Sequence, residues 1–307
     1  MIGSERLAEV WGETGGFGQN PGNGYLLDLM GDLQIKPTGA VLGAFVDGVD
    51  LTQVLSESER LFIQGAFWEY SVLVFRGQDL TEAQQLDFSR LLCDPVAHPT
   101  NTTNVGALPE ICIIANVEEQ GKAVGALGNN EVHFHSDLAF RPKPGSVSVL
   151  YAVEAPNDSG MTSWSSGIAA YNALDAEAKE RLEDVRVVYS HAKADYRADE
   201  PVIHPLICTH PESGLKTIYF STNHAASVVD EEEAESASLI ERLKRYTTED
   251  RFVWTHQWQP GDLVVWDNRS TQHRRSFVDE TKRRLMRRAQ AVGFPSGNAA
   301  THLKEEA

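Results

Sequence analysis

Short runs rich in β-branched and aromatic residues recur along the chain without a helix between each pair, and this most narrows the folds open to it. The runs are VLVF (72–75), ICIIANV (111–117), EVHFHSDLAF (131–140), SVSVLYAV (146–153), VRVVYS (185–190), TIYF (217–220), LVVW (263–266) and RRLMRRAQAV (283–292), several bounded by Pro, Gly or Asn. A doubly wound sheet needs a crossover helix between parallel strands, so this pattern argues against that class. Helix signals are few. Ser56 with Glu59 and Thr81 with Gln84 fit capping boxes ahead of apolar residues at helical spacing. Asp230 to Glu233 supplies an acidic first turn before Leu239, Ile240 and Leu243, and Asp175 to Leu182 reads as a further short helix. No fixed-period repeat is present. The pattern predicts a mainly β fold with peripheral helices, a sandwich or jelly roll.

The 307 residues suffice for one large domain. The expected organisation is an irregular N-terminal extension over 1–32, a single domain over 33–298 and a C-terminal tail over 299–307. The extension contains GETGGFGQNPGNG (12–24), rich in Gly and Asn. A formal charge of −17 repels a polyphosphate backbone, so nucleic acid is not an expected partner. No apolar run approaches the roughly 18 residues of a membrane span. The first residues lack a basic stretch followed by an apolar one, so a cytoplasmic location is expected. Cys93, Cys112 and Cys208 are far apart and form no Cys-x-x-Cys pair, which predicts free thiols.

Chemistry enters with His135-Ser136-Asp137. In a strand, residues i and i+2 point to one face, so an imidazole and a carboxylate could reach one ion from a single strand. A third ligand would have to come from elsewhere. Two histidines and one carboxylate on one face of an octahedron is the arrangement of non-haem iron(II) oxygenases, and it leaves positions open for a bidentate cosubstrate and dioxygen. His-x-Asp also recurs by chance in a chain with ten histidines, where a surface strand of alternating polarity produces it.

The wider pattern is more specific. WDNRSTQH (266–273) followed by RRLMRRA (283–289), together with His135-x-Asp137, resembles the taurine/2-oxoglutarate dioxygenase family, also named for its 2,4-dichlorophenoxyacetate member (TauD/TfdA). SGIAAYNAL (166–174), HPLICTHPESG (204–214) and QPGDLVVWDNR (259–269) resemble the same family in the same order, and the likeness runs from about Gln34 to Phe294. The resemblance implies a double-stranded β-helix (a jelly roll, clavaminate synthase-like) that uses Fe(II), 2-oxoglutarate as cosubstrate and O2. It implies that His135 and Asp137 are the first two metal ligands and His273 the distal one, and that these three are the catalytic residues. Arg284, eleven residues after His273, matches the arginine that grips the distal carboxylate of 2-oxoglutarate, and Thr162 in SGMTSW matches its supporting threonine. Arginine suits that task because it pairs bidentately with a carboxylate. The chain has Ser-Gly-Met-Thr where the family has Gly-Gly-Asp-Thr.

Other residues carry two readings each. Arg288 is four after Arg284 on the same strand face. The resemblance puts it near the metal, touching substrate or cosubstrate; the alternative is a surface ion pair. Arg283 and Arg287 are expected on the opposite, solvated face. His133 shares the face of His135 and lines the pocket or bonds to backbone. His98 matches a substrate-contacting histidine of the family's taurine enzyme, whose aromatic partner is replaced here by Asn101. His224 falls where that enzyme has a pocket phenylalanine. Asp267 and Asn268 either support the metal ligands or shape the turn before His273. The implied reaction converts 2-oxoglutarate and O2 to succinate and CO2 while hydroxylating a small anionic organic substrate, with C–S or C–O cleavage when the carbon bears a heteroatom. The alternatives are an amino-acid-like or secondary-metabolite substrate, with hydroxylation or desaturation. Two further alternatives are a metal hydrolase or isomerase on a cupin-like barrel and a non-catalytic 2-oxoglutarate-binding protein. The retained Asp137 argues against a halogenase. The expected partners are a small-molecule substrate and further copies of the chain, as a dimer or tetramer, and no membrane.

Overall fold

The computed structural model describes residues 32–97 and 106–293. The N-terminal half runs β1 (Gln34–Pro37), β2 (Ala44–Asp47), α1 (Glu57–Tyr70), β3 (Val72–Phe75), α2 (Glu82–Leu92), β4 (Cys112–Ala115), β5 (Glu118–Glu119), β6 (Lys122–Ala123), β7 (Ala126–Leu127) and β8 (Val132–His135). Next come β9 (Gly145–Glu154), β10 (Thr162–Ser166), α3 (Gly167–Asn172), α4 (Ala176–Leu182), β11 (Arg186–Tyr189), β12 (Val202–Pro205), β13 (Ile207–Thr209) and β14 (Lys216–Ile218). The chain closes with β15 (Ala225–Val228), α5 (Glu233–Thr247), β16 (Val253–His256), β17 (Leu263–Asp267), β18 (Thr271–Arg275) and β19 (Leu285–Val292).

Two sheets make the body. The major sheet has eight strands in the order β1-β2-β3-β17-β9-β19-β4-β7, and the minor sheet four in the order β16-β10-β18-β8. Alternation along each strand of the major sheet feeds two cores. On β3, Leu73 and Phe75 join Phe62, Ile63 and Phe67 of α1 and Leu86 and Phe88 of α2 in an outer core. Val72 and Val74 face the other way and join Leu150, Val264, Trp266 and Met286 against Trp164 and Trp258 in an inner core between the sheets. Covering both faces is why VLVF and LVVW read as unbroken apolar runs. A third cluster packs α3 and α5 on β11, β14 and β15.

Both expected capping boxes are present, Ser56 with Glu59 and Thr81 with Gln84. Asp175 caps α4 and accepts from the Ala178 amide at 2.8 Å. Asp230 is a correction: it sits in a turn at φ 62°, pairs with Arg186, and α5 begins only at Glu233 with Glu232 as N-cap. A second correction concerns EVHFHSDLAF. Its strand ends at His135, and the chain turns through Leu138 at φ 53°, so Asp137 is not a strand partner of His135. The run at 283–292 likewise enters its strand only at Leu285. Eleven of the nineteen strands among the described residues have no counterpart among the expected runs, and two of them, TSWSS (β10) and TQHRR (β18), form the centre of the minor sheet.

Candidate metal centre

The minor sheet carries a register row Trp254–Trp164–His273–His135 across β16, β10, β18 and β8. His273 and His135 are therefore brought together by strand pairing, not by chain proximity. Asp137 arrives from the turn after β8. One donor atom from each of His135, Asp137 and His273 lies within 4.8 Å of the others. The Nε2 atoms of His135 and His273 stand 3.7 and 4.0 Å from Asp137 Oδ1. His135 Nδ1 donates to the His133 carbonyl at 2.9 Å, which leaves its Nε2 lone pair facing the carboxylate.

The turn that delivers Asp137 is tightly packed. The Gly145 amide donates to the Asp137 carbonyl at 2.8 Å, and a Cβ on residue 145 would lie 2.8 Å from the Asp137 Cβ. Only glycine admits that approach. Ser148 Oγ donates to Asp137 Oδ2 at 2.7 Å. Asn268 ties the arrangement together. Its Oδ1 accepts from the Asp137 amide at 3.2 Å and Trp266 Nε1 at 3.1 Å, and its Nδ2 donates to Ser148 Oγ at 3.0 Å. Asp267 points elsewhere, to Arg269 and His210. Of the two neighbours, Asn268 supports a ligand and Asp267 holds the turn.

Electrostatics prepare the donors for a cation. Burial alone would raise the pKa of Asp137, but Arg288, with Nη1 3.3 Å from Oδ1, and then the two histidines hold its carboxyl well below the usual range. Burial first, then the neighbouring His135, pushes His273 well below the ordinary imidazole value. An ionised carboxylate and a neutral imidazole are the states that bind a metal.

Arg284 is almost fully buried, and its Nε and Nη1 have no hydrogen-bond partner among the described residues. Burial, then the charge of Arg275, lowers its pKa to about 9. Gly160, at φ +66°, packs under it, with its would-be Cβ 3.2 Å from Arg284 Cδ. Thr162 is buried at the start of β10, and its Oγ1 accepts from Trp258 Nε1 at 2.9 Å, so the hydroxyl proton remains available to an acceptor.

The other sequence candidates separate. Arg288 lies against Asp137, not in a surface ion pair. Arg283 is exposed and bidentate to Glu154 at 2.7 and 2.9 Å. Arg287 departs from the solvated placement expected for it: it is half-buried, lies over the Tyr151 ring at 4.6 Å and donates to the Leu80 carbonyl. The His133 side chain is exposed, and its carbonyl orients His135. His224 is buried, its ring 5.9 Å from that of His135, 4.9 Å from Phe140 and 5.6 Å from His191. Burial, then the charges of His135 and His191, pushes its pKa down to about 3. His98 and Asn101 lie outside the described residues. Sequence reasoning missed Gly145, Ser148, Arg275 and Gln290. The Gln290 amide is buried on the inner face of β19, opposite Ser148 in register, without a partner among the described residues. Arg275 alone offered a signal, two residues beyond His273 with the same parity.

The model of the taurine catabolism dioxygenase TauD, TfdA family matches residues 34–290. The chain belongs to this family. It is 33% identical over 277 residues to an alpha-ketoglutarate-dependent 2,4-dichlorophenoxyacetate dioxygenase of Cupriavidus pinatubonensis, covering 83% of this chain and 96% of that protein. It is 31% identical over 290 residues to a pentalenolactone F synthase of Streptomyces arenae, covering 85% and 95%. Among solved structures, AAD-2 in complex with Mn(II) and N-oxalylglycine superposes with a TM-score of 0.72 at 30% identity, over 85% of this chain and 97% of that one. The protein is thus an Fe(II)/2-oxoglutarate-dependent oxygenase on a double-stranded β-helix, with iron(II), 2-oxoglutarate and O2 as its cofactor set. Its residues fit those groups. Two imidazoles and a carboxylate suit iron(II), and among the described residues Arg284 Nε and Nη1 are buried and unpaired, donors suited to a carboxylate. Among the described residues no helix is long and apolar enough to cross a membrane.

Proposed function

We propose that the enzyme hydroxylates a small organic anion, with C–S or C–O cleavage following when the hydroxylated carbon bears a heteroatom. In this reading His135, Asp137 and His273 hold the iron, Arg284 and Thr162 hold the distal carboxylate of 2-oxoglutarate, and Arg288 and His224 face the substrate. When bound, iron with 2-oxoglutarate and O2 supplies the oxidising power, and 2-oxoglutarate leaves as succinate and CO2. The chain's own residues orient the ligands and exclude water. The observation that carries the reading is Arg288, a half-buried guanidinium with its Nε unpartnered, set beside the three metal donors. Its one carboxylate neighbour among the described residues, Asp137, is shared with the metal site, so part of its donor capacity is left for an anion. The wall of His224, His191 and Phe140 gives the substrate's carbon skeleton an aromatic surface.

The test is substrate-stimulated succinate release, screened over aryloxyalkanoates, alkyl sulfates and sulfonates, with His135→Ala and His273→Ala as controls. At least one anion should stimulate the wild type, and neither variant should turn over. Stimulation by neutral or zwitterionic compounds alone would overturn the substrate class. Wild-type succinate release from either variant would overturn the ligand assignment.

A further inference from the structure

Arg275 is buried on the inner face of β18, in register with Thr162 of β10. His273 lies two residues before it on the same face, and Arg274 between them is exposed and stacks over Phe134 at 5.1 Å. Arg275 Nη2 donates to the carbonyls of Leu127 (3.2 Å) and Asn130, and its Nε is buried with no partner among the described residues. No carboxylate pairs with it among the described residues. Its charge acts directly on Arg284, whose Nε and Nη1 are also unpartnered. Two buried guanidiniums that repel each other, neither with a carboxylate partner among the described residues, form a costly arrangement unless an anion joins them.

We propose that Arg275 is a second arginine for the distal carboxylate of 2-oxoglutarate, acting with Arg284 from the opposite sheet. The spacing supports it. Two residues along a strand span roughly 6.6 Å, comparable with the length of a five-carbon dicarboxylate whose other end lies at the His273 metal site. Arg284 approaches from the lead-in to the major sheet and Arg275 from the minor sheet, so the ligand's carboxylate bridges the two sheets at the rim of the inner core. Through its bonds to Leu127 and Asn130, Arg275 also fastens the segment that leads into β8 and His135. The inference rests on the proposed role of Arg284.

The experiment is calorimetric binding of two acids to the Mn(II)-loaded protein under anaerobic conditions. The acids are 2-oxoglutarate and 2-oxovalerate, which keeps the chelating end and lacks the distal carboxylate. Arg275→Gln should weaken 2-oxoglutarate by about tenfold or more, the loss of one charge-assisted contact, and leave 2-oxovalerate within about twofold. Arg275→Lys keeps the charge without the fork and serves if the glutamine variant fails to fold; it should weaken 2-oxoglutarate by about threefold or more and spare 2-oxovalerate. Equal weakening of both acids would mean that Arg275 only braces the loop, and undiminished 2-oxoglutarate binding would mean that it does not touch the carboxylate. Either result overturns the proposal. Arg284→Gln is measured in parallel. If it binds 2-oxoglutarate normally, the site itself is misassigned; if it is crippled while Arg275→Gln is normal, only the present inference fails.

Discussion

Ser148 donates a 2.7 Å hydrogen bond to Asp137 Oδ2, and the two residues belong to different layers of the fold. Ser148 lies in β9, at the middle of the major sheet, whereas Asp137 follows β8 at the end of the minor sheet. The bond therefore fixes the carboxylate against the one strand that neighbours both β17 and β19. Ser148→Ala is expected to lower metal affinity by about 10- to 100-fold, the usual cost of losing an outer partner of a metal-ligating carboxylate. Anaerobic Fe(II) or Mn(II) titration checks this. An unchanged affinity would show that Asn268 and Arg288 suffice to hold the carboxylate.

Gly145 should be equally sensitive for a steric reason. Its would-be Cβ sits 2.8 Å from both the Cβ and the carbonyl oxygen of Asp137, neither of which is the end of a flexible side chain. Gly145→Ala must displace the turn, at about 1–3 kcal/mol for a forced fit in a packed site. Metal binding and thermal stability should fall together in this variant, while Gly77→Ala, where nothing lies within 4 Å, should leave metal binding intact. Retained metal affinity in Gly145→Ala would contradict the packing argument.

The legible parts of the sequence were those where burial and period coincide. VLVF and LVVW declare themselves because the major sheet is covered on both faces, and the capping boxes at Ser56 and Thr81 are local chemistry. TSWSS and TQHRR do not, although every residue of β10 is buried. Their inward positions carry Thr162, His273 and Arg275, buried polar groups that face cross-strand partners instead of oil, so no apolar alternation marks them. The His135–Asp137 pairing was correct as a spacing and wrong as a strand, because the turn at Leu138 begins just where the carboxylate is needed. Ser148 and Gly145 were invisible for another reason: a serine and a glycine acquire their roles only through contacts with a turn elsewhere in the chain.

The buried histidines make stability depend on pH. Burial lowers the pKa values of His204 and His256, and that of His224 falls to about 3, with His135, His191 and Asp137 as the titratable neighbours it faces. The unfolded chain protonates each near the ordinary value of about 6.5, while the native state stays neutral. Stability is therefore complete above about pH 6.5 and lost as pH falls below it, for His224 down to about 3. His224 alone contributes a loss of about 1.4 kcal/mol between pH 7.5 and 5.5. Denaturant unfolding of the metal-free protein at the two pH values measures the total, and His224→Phe should reduce the difference by about that amount. A difference unaltered by the substitution would show that His224 titrates normally in the fold.

Asp267 and Asn268 are adjacent in sequence and should fail in opposite ways. Asp267 is buried between Arg269 (2.7 Å) and His210 (2.8 Å), and Arg269 also reaches Glu212 at 2.9 Å. Burial opposes its ionisation, but Arg269 and His210 prevail and hold its carboxyl far below the usual range. Its stabilising contribution is thus present above about pH 4 and lost as pH falls toward the depressed native value. Asp267→Asn leaves Arg269 partly unpaired in the interior, which costs about 3–5 kcal/mol, and the network does not include a metal donor. Asn268→Ala removes the acceptor of the Asp137 amide and Trp266 Nε1 and the donor to Ser148. That variant should lose metal affinity by at least about tenfold, through the same carboxylate that Ser148 holds. Paired measurement of unfolding and Mn(II) affinity separates the two. Asp267→Asn should shift the unfolding midpoint and keep normal affinity once folded, whereas a metal defect in Asp267→Asn as large as that in Asn268→Ala would mean that the turn, and not the Asn268 amide, is what positions Asp137.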